Sequence, residues 1–99
     1  MNLDDIPVGE GRSVAIDGEQ VAIFRLRDGS VRALGAVCPH RGGPLADGLL
    51  DDRVVVCPLH GYTYDLVTGA ETANGGDPVC AYDVAVAADG DLRVTTPRR

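Results

Sequence analysis

No lysine and no tryptophan occur in this 99-residue chain, and no stretch of it reads as a long apolar run. The nine basic residues are all arginines, set against fifteen acidic ones, and the formal charge is −6. A surface that acidic argues against nucleic acid and anionic membranes as partners, and suits a protein with a basic docking patch. Three cysteines make an odd count, which a secreted disulfide framework does not fit. The opening Met1-Asn2-Leu3-Asp4-Asp5 lacks the basic and apolar blocks of an export signal. Nothing approaches the roughly 20 apolar residues of a membrane span. No segment holds a helical period beyond about two turns. Neither a nucleophile–base pair nor a phosphate-binding loop is present. These absences leave the expectation of a single soluble domain over residues 1–99, in a reducing compartment such as the cytoplasm.

What is present is β-sheet vocabulary. Asp17-Gly18 separates Ser13–Ile16 from Gln20–Leu26, Asp28-Gly29 separates the latter from Val31–Leu34, and Asp89-Gly90 separates Ala81–Ala87 from Asp91–Thr95. Asp-Gly between β-formers is a strong hairpin signal, because glycine accepts the positive φ of those turns. Val21, Ile23 and Arg25 alternate with Ala22, Phe24 and Leu26, as on the two faces of a strand. Val54-Val55-Val56 predicts a buried strand, and Tyr62–Leu66 another. Cys80 shares parity with Tyr82, Val84 and Val86 and reads as a core thiol. The expected fold class is all-β, in small antiparallel sheets.

The middle of the chain differs. Cys38-Pro39-His40 is followed, sixteen residues on, by Cys57-Pro58-Leu59-His60. Both histidines and two of the three cysteines fall in this window. Turn residues surround the first pair: Pro39, Gly42-Gly43-Pro44 and Asp47-Gly48. Glycine lets backbone come close to a bulky group. A further loop, Asn74-Gly75-Gly76-Asp77-Pro78, carries no ligand type. Two thiolates and two imidazoles can hold one zinc, or a two-iron cluster with its ligands split. Zinc ribbons and fingers pair cysteine with cysteine and histidine with histidine. Here each turn mixes sulfur with nitrogen, which suits a binuclear cluster better, with structural zinc as the alternative.

At these residues the chain resembles a known family. Cys38-Pro39-His40-Arg41-Gly42-Gly43-Pro44-Leu45 and Cys57-Pro58-Leu59-His60-Gly61 are similar to the two cluster-binding boxes of Rieske iron–sulfur domains. Tyr62-Thr63-Tyr64-Asp65-Leu66-Val67-Thr68-Gly69 resembles the strand and turn after the second box. The resemblance implies a Rieske fold with a cluster-binding subdomain at about residues 36–66, and a [2Fe–2S] cofactor. It further implies that Cys38 and Cys57 bind the inner iron, and His40 and His60 the outer one. The function it implies is one-electron transfer between a reductase upstream and an acceptor enzyme downstream, with no catalysis by the chain alone.

Two departures bear on the subtype. The respiratory branch of that family carries an extra cysteine in each box, and this chain has none at the matching places. That branch also has a serine after His-Gly, where Tyr62 stands here. Fewer donors to the cluster sulfurs lower its potential. The wording of both boxes resembles the small subunit of NAD(P)H-dependent nitrite reductases, with the ferredoxin of an aromatic-ring oxygenase as the alternative.

Overall fold

The three Asp-Gly hairpins build the larger of two antiparallel sheets. The computed structural model describes residues 2–16, 18–36, 45–51, 53–57, 62–72 and 76–95. Strand β1 (Glu10–Ile16) pairs with β2 (Glu19–Arg25), and Ile16 opposite Glu19 leaves two residues for the turn. Asp17 lies outside the described residues. Strand β3 (Val31–Gly35) pairs with the other edge of β2. Three short strands follow: β4 (Leu49–Leu50), β5 (Val54–Val56) and β6 (Thr63–Asp65). The chain then returns as β7 (Ala81–Val86), which pairs with β3, and β8 (Leu92–Thr95), which pairs with β7. The order in the larger sheet is β1-β2-β3-β7-β8, and in the smaller one β4-β5-β6. Gly18, Gly29 and Gly90 all have φ between +82° and +92°, the geometry their Asp-Gly pairs predict.

The smaller sheet is thus an excursion between β3 and β7, and its burial shows where it lands. Ala22, Phe24, Leu26, Leu34 and Ala36 from the larger sheet gather with Leu45, Val55, Cys57, Tyr64, Leu66 and Val79 in one apolar cluster. Val21, Ile23, Val31 and Ala33 gather with Ile6, Tyr82 and Leu92 in a second. The two alternating sets of β2 therefore serve two cores, and the strand is buried on both faces. At the edge of the second core sits Cys80, partly buried. Its place fits the parity with Tyr82, although Val86 at the far end of that row is exposed.

Besides a 3-10 turn at Leu45–Asp47, two elements are not expected from the sequence. Strand β4 is only two residues long. The other is a 3-10 turn at Leu3–Asp5, capped reciprocally by Asn2 and Asp5 and hydrogen-bonded through the Leu3 N–H to the Gly90 carbonyl at 2.8 Å. It delivers Ile6, fully buried, to the second core. Arg25 Nη1 donates to the Ile6 carbonyl at 3.1 Å. Burying such a side chain stabilises by roughly 1.5–3 kcal/mol, and a hydrogen bond from a charged group such as Arg25 contributes about as much, roughly 1.5–3 kcal/mol. Apolar contact and the Arg25 bond hold this segment together. No helix among the described residues is long and apolar enough to cross a membrane.

Candidate metal centre

Both Cys/His turns begin and end in the same apolar cluster. The first leaves the larger sheet at Ala36 and returns at Leu45, whose N–H donates to the Ala36 carbonyl at 2.9 Å. The second is the tip of the β5–β6 hairpin. Val56 opposite Thr63 is its last paired position, and the Cys57 N–H then donates to the Tyr62 carbonyl at 2.7 Å. All four of Ala36, Leu45, Cys57 and Tyr64 are buried within the first cluster. The two turns are therefore brought together by their bases. Cys38, His40 and His60 lie outside the described residues, as do Pro39, Arg41, Pro44, Pro58, Leu59 and the glycine pair 42–43.

Cys57 is the described candidate ligand, and it is 2% exposed. Apolar surroundings disfavour a bare thiolate. A metal supplies the compensating charge and deprotonates a coordinating thiol outright. A buried cysteine clustered with Ala36 and Leu45, the base of the other Cys/His turn, thus fits a sulfur ligand of a split-ligand centre. Cys80 stands on the other side of the larger sheet, against the second core, and is no part of this group.

Other expectations meet a more ordinary structure. Leu45, the last residue of the first box, is fully buried in the first core. Gly48 was expected to let backbone approach a cofactor, but its close neighbour is protein. A Cβ there would collide with the Val56 carbonyl oxygen and lie 2.8 Å from Val55 Cγ2. Its missing side chain lets the return of the first turn lie against β5, one residue before Cys57. Tyr64 occupies β6 opposite Val55 and is completely buried. Tyr62 is half-buried at the mouth of the hairpin. A Cβ on Gly76 would lie 3.0 Å from Tyr62 Cε2, so the backbone at Gly76 comes close to that ring.

Nothing in the sequence singles out Glu71. Its Oε2 accepts the Thr63 N–H at 3.0 Å and its Oε1 the Gly76 N–H at 3.1 Å. A lone glutamate in a glycine-rich stretch carries no motif. Its role follows only from the fold, which brings residues 63 and 76 to either side of it.

The turn after β6 is tied by Asp65, whose Oδ1 accepts the Val67 N–H at 2.8 Å and the Thr68 N–H at 3.0 Å. These bonds, the Thr68 one foremost, hold its carboxyl below the usual carboxylate value of 3.8. A carboxyl depressed on folding stabilises fully above its unfolded value, and that stabilisation is lost as pH falls through the folded one. Asp65→Ala is expected to lower the Tm by a few degrees at neutral pH, with the gap to wild type closing below about 3.8. Thermal melts across that range check it, and a gap that does not change with pH counts against the assignment.

An antiparallel β scaffold that presents two Cys/His turns from one core defines a small metal-binding β domain. The chain belongs to the Rieske [2Fe–2S] domain family, whose model matches residues 1–94. The family's cofactor is a Rieske-type [2Fe–2S] cluster. Among curated relatives, the chain is 36% identical over 67 residues to the ferredoxin component of the naphthalene 1,2-dioxygenase/salicylate 5-hydroxylase systems of a Ralstonia species. That match takes in 68% of this chain and 64% of the relative, so the chain spans just under two thirds of the curated relatives it matches first. Among solved structures, a Mycobacterium tuberculosis protein assigned as an NADH-dependent nitrite reductase small subunit superposes with a TM-score of 0.88 at 33% identity. The superposition covers 94% of this chain and 88% of that one. The ferredoxin of carbazole 1,9a-dioxygenase from Nocardioides aromaticivorans IC177 superposes with a TM-score of 0.85 at 33% identity, covering 99% and 94%.

Proposed function

We propose that this chain is a one-electron carrier whose Rieske-type cluster is held by Cys38 and Cys57 through sulfur and by His40 and His60 through nitrogen. The observation that carries the reading is the common base of the two turns: Ala36, Leu45 and Cys57 are buried in one cluster, and each turn is closed by a backbone hydrogen bond. When bound, the cluster supplies reversible storage of a single electron. The chain's own residues hold it and control water. Cys57, Leu45 and Tyr64 form a dry floor, and His40 and His60 would mark the side where electrons enter and leave. Leu49, 76% exposed and paired with Val56, supplies apolar contact area beside the second turn. An acidic exterior of charge −6 favours partners with a basic rim.

The partners proposed are a reductase upstream and an acceptor enzyme downstream, in the cytoplasm. The wording of both boxes and the likeness to the Mycobacterium tuberculosis protein support a small subunit of an NAD(P)H-dependent nitrite reductase. The curated dioxygenase ferredoxins support the second reading, a ferredoxin that feeds a ring oxygenase.

Visible spectra before and after dithionite, with iron and acid-labile sulfide assays, test the core of the proposal. Broad bands that bleach on reduction are expected, with a midpoint in the lower half of the span of about −150 to +300 mV for such centres. One zinc and no labile sulfide would overturn it. Electron delivery to a sirohaem nitrite reductase, measured beside delivery to a ring oxygenase, separates the two partner readings.

A further inference from the structure

The base of the second turn is fastened by a relay that starts at a carboxylate. The peptide joining Tyr62 to Thr63 is engaged at both ends. Its carbonyl accepts the N–H of Cys57 at 2.7 Å, and its own N–H donates to Glu71 Oε2 at 3.0 Å. The other oxygen of Glu71 takes the Gly76 N–H at 3.1 Å, and Gly76 lies against the Tyr62 ring. One side chain therefore ties the hairpin tip to the proline-bearing loop.

We propose that Glu71 is a positioning residue for electron transfer: through the Tyr62–Thr63 peptide it fixes the backbone of Cys57 and holds the cluster's potential down. The inference rests on the reading of Cys57 as a ligand. Three physical consequences follow from the relay, and they share one sign. Hydrogen bonds in series polarise one another, so a charged acceptor at Thr63 strengthens the bond from Cys57 to Tyr62. A Cys57 N–H committed to a carbonyl is withheld from sulfur, and donors to sulfur raise a cluster's potential. A negative charge one peptide beyond the ligand disfavours the reduced, more negative state. Removing Glu71 should therefore raise the potential.

Two variants and two readouts test this in the full chain. Glu71→Gln removes the charge while keeping an oxygen acceptor, and Glu71→Ala removes the fastening. A hydrogen bond to a charged group contributes about 1.5–3 kcal/mol. Amide exchange in the 57–63 segment should accordingly quicken by tenfold or more in Glu71→Ala, whether or not the cluster is loaded. In loaded Glu71→Gln, unchanged in iron content, the reduction equilibrium should shift about tenfold toward the reduced form, which is about 59 mV upward for one electron. A purely structural role would lower the Tm and leave that midpoint at the wild-type value, and such a result overturns the proposal. Unaltered exchange in Glu71→Ala overturns it as well. Absence of labile sulfide from the wild type is a separate result, which removes the ligand assignment and leaves the exchange measurement to decide on the relay.

Discussion

His40→Ala is expected to give a folded but colourless protein, with iron and labile sulfide near zero and the visible bands gone. A [2Fe–2S] centre held by two cysteines and two histidines would have no spare ligand, so loss of one imidazole would leave it incompletely held. The two cores are built from residues of the strands and their flanks. Phe24, Leu34, Leu45, Val55 and Tyr64 are all fully buried, and the strand pairing runs through β1, β2 and β3 independently of either tip. Far-ultraviolet circular dichroism should therefore remain close to wild type while cofactor content falls. Cys80→Ser is the matched control. That thiol packs on the second core, across the larger sheet from Cys57, and its replacement should leave the spectrum intact. Cluster retained in His40→Ala, or lost in Cys80→Ser, would show that the ligand set is misassigned.

How far the sequence disclosed this arrangement depends on whether a feature is written in side chains close together in the chain. The hairpins were legible because an Asp-Gly pair and its flanking strands are local, and Gly18, Gly29 and Gly90 turn as such pairs do. The alternation along β2 was legible for the same reason, although only the fold shows that Val21 and Ala22 face two different cores. The pairing of Cys57 with His60, and of Cys38 with His40, stood out because metal chemistry demands scarce residue types at short spacing. What fastens those turns did not stand out. The Ala36–Leu45 and Cys57–Tyr62 bonds are made by backbone atoms that every residue carries. Ile6 was missed because its burial needs Arg25 and Leu92, which are distant in the chain. Glu71 was missed because its two partners are amides, at Thr63 and Gly76.

Gly69→Ala is expected to cost about 3 kcal/mol, the largest loss of stability from a single added methyl group among the described glycines of the loops that support the centre. Two effects add at this position. The backbone there has φ of +79°, and an L-residue in the left-handed region costs roughly 1–2 kcal/mol. Its Cβ would also collide with the Val79 carbonyl oxygen, and overpacking of this kind typically costs about 1–3 kcal/mol. The segment has little room to move away. The Gly69 N–H donates to the Asp65 carbonyl at 2.8 Å, and the Gly69 carbonyl accepts the Val79 N–H at 2.9 Å, so a shift breaks one bond or the other. For a domain of this size, 1 kcal/mol corresponds to about 4–8 °C in Tm, and the expected fall is about 12–24 °C. Gly18→Ala separates the two causes. Gly18 has nearly the same φ, +82°, but nothing lies within 4 Å of the added carbon, so it should lose only the conformational part, about 1–2 kcal/mol. Equal losses in the two variants, measured by thermal or urea unfolding, would mean that the turn at Gly69 yields to the new methyl group. In that case the contact with Val79 contributes little to holding the proline-bearing loop in place.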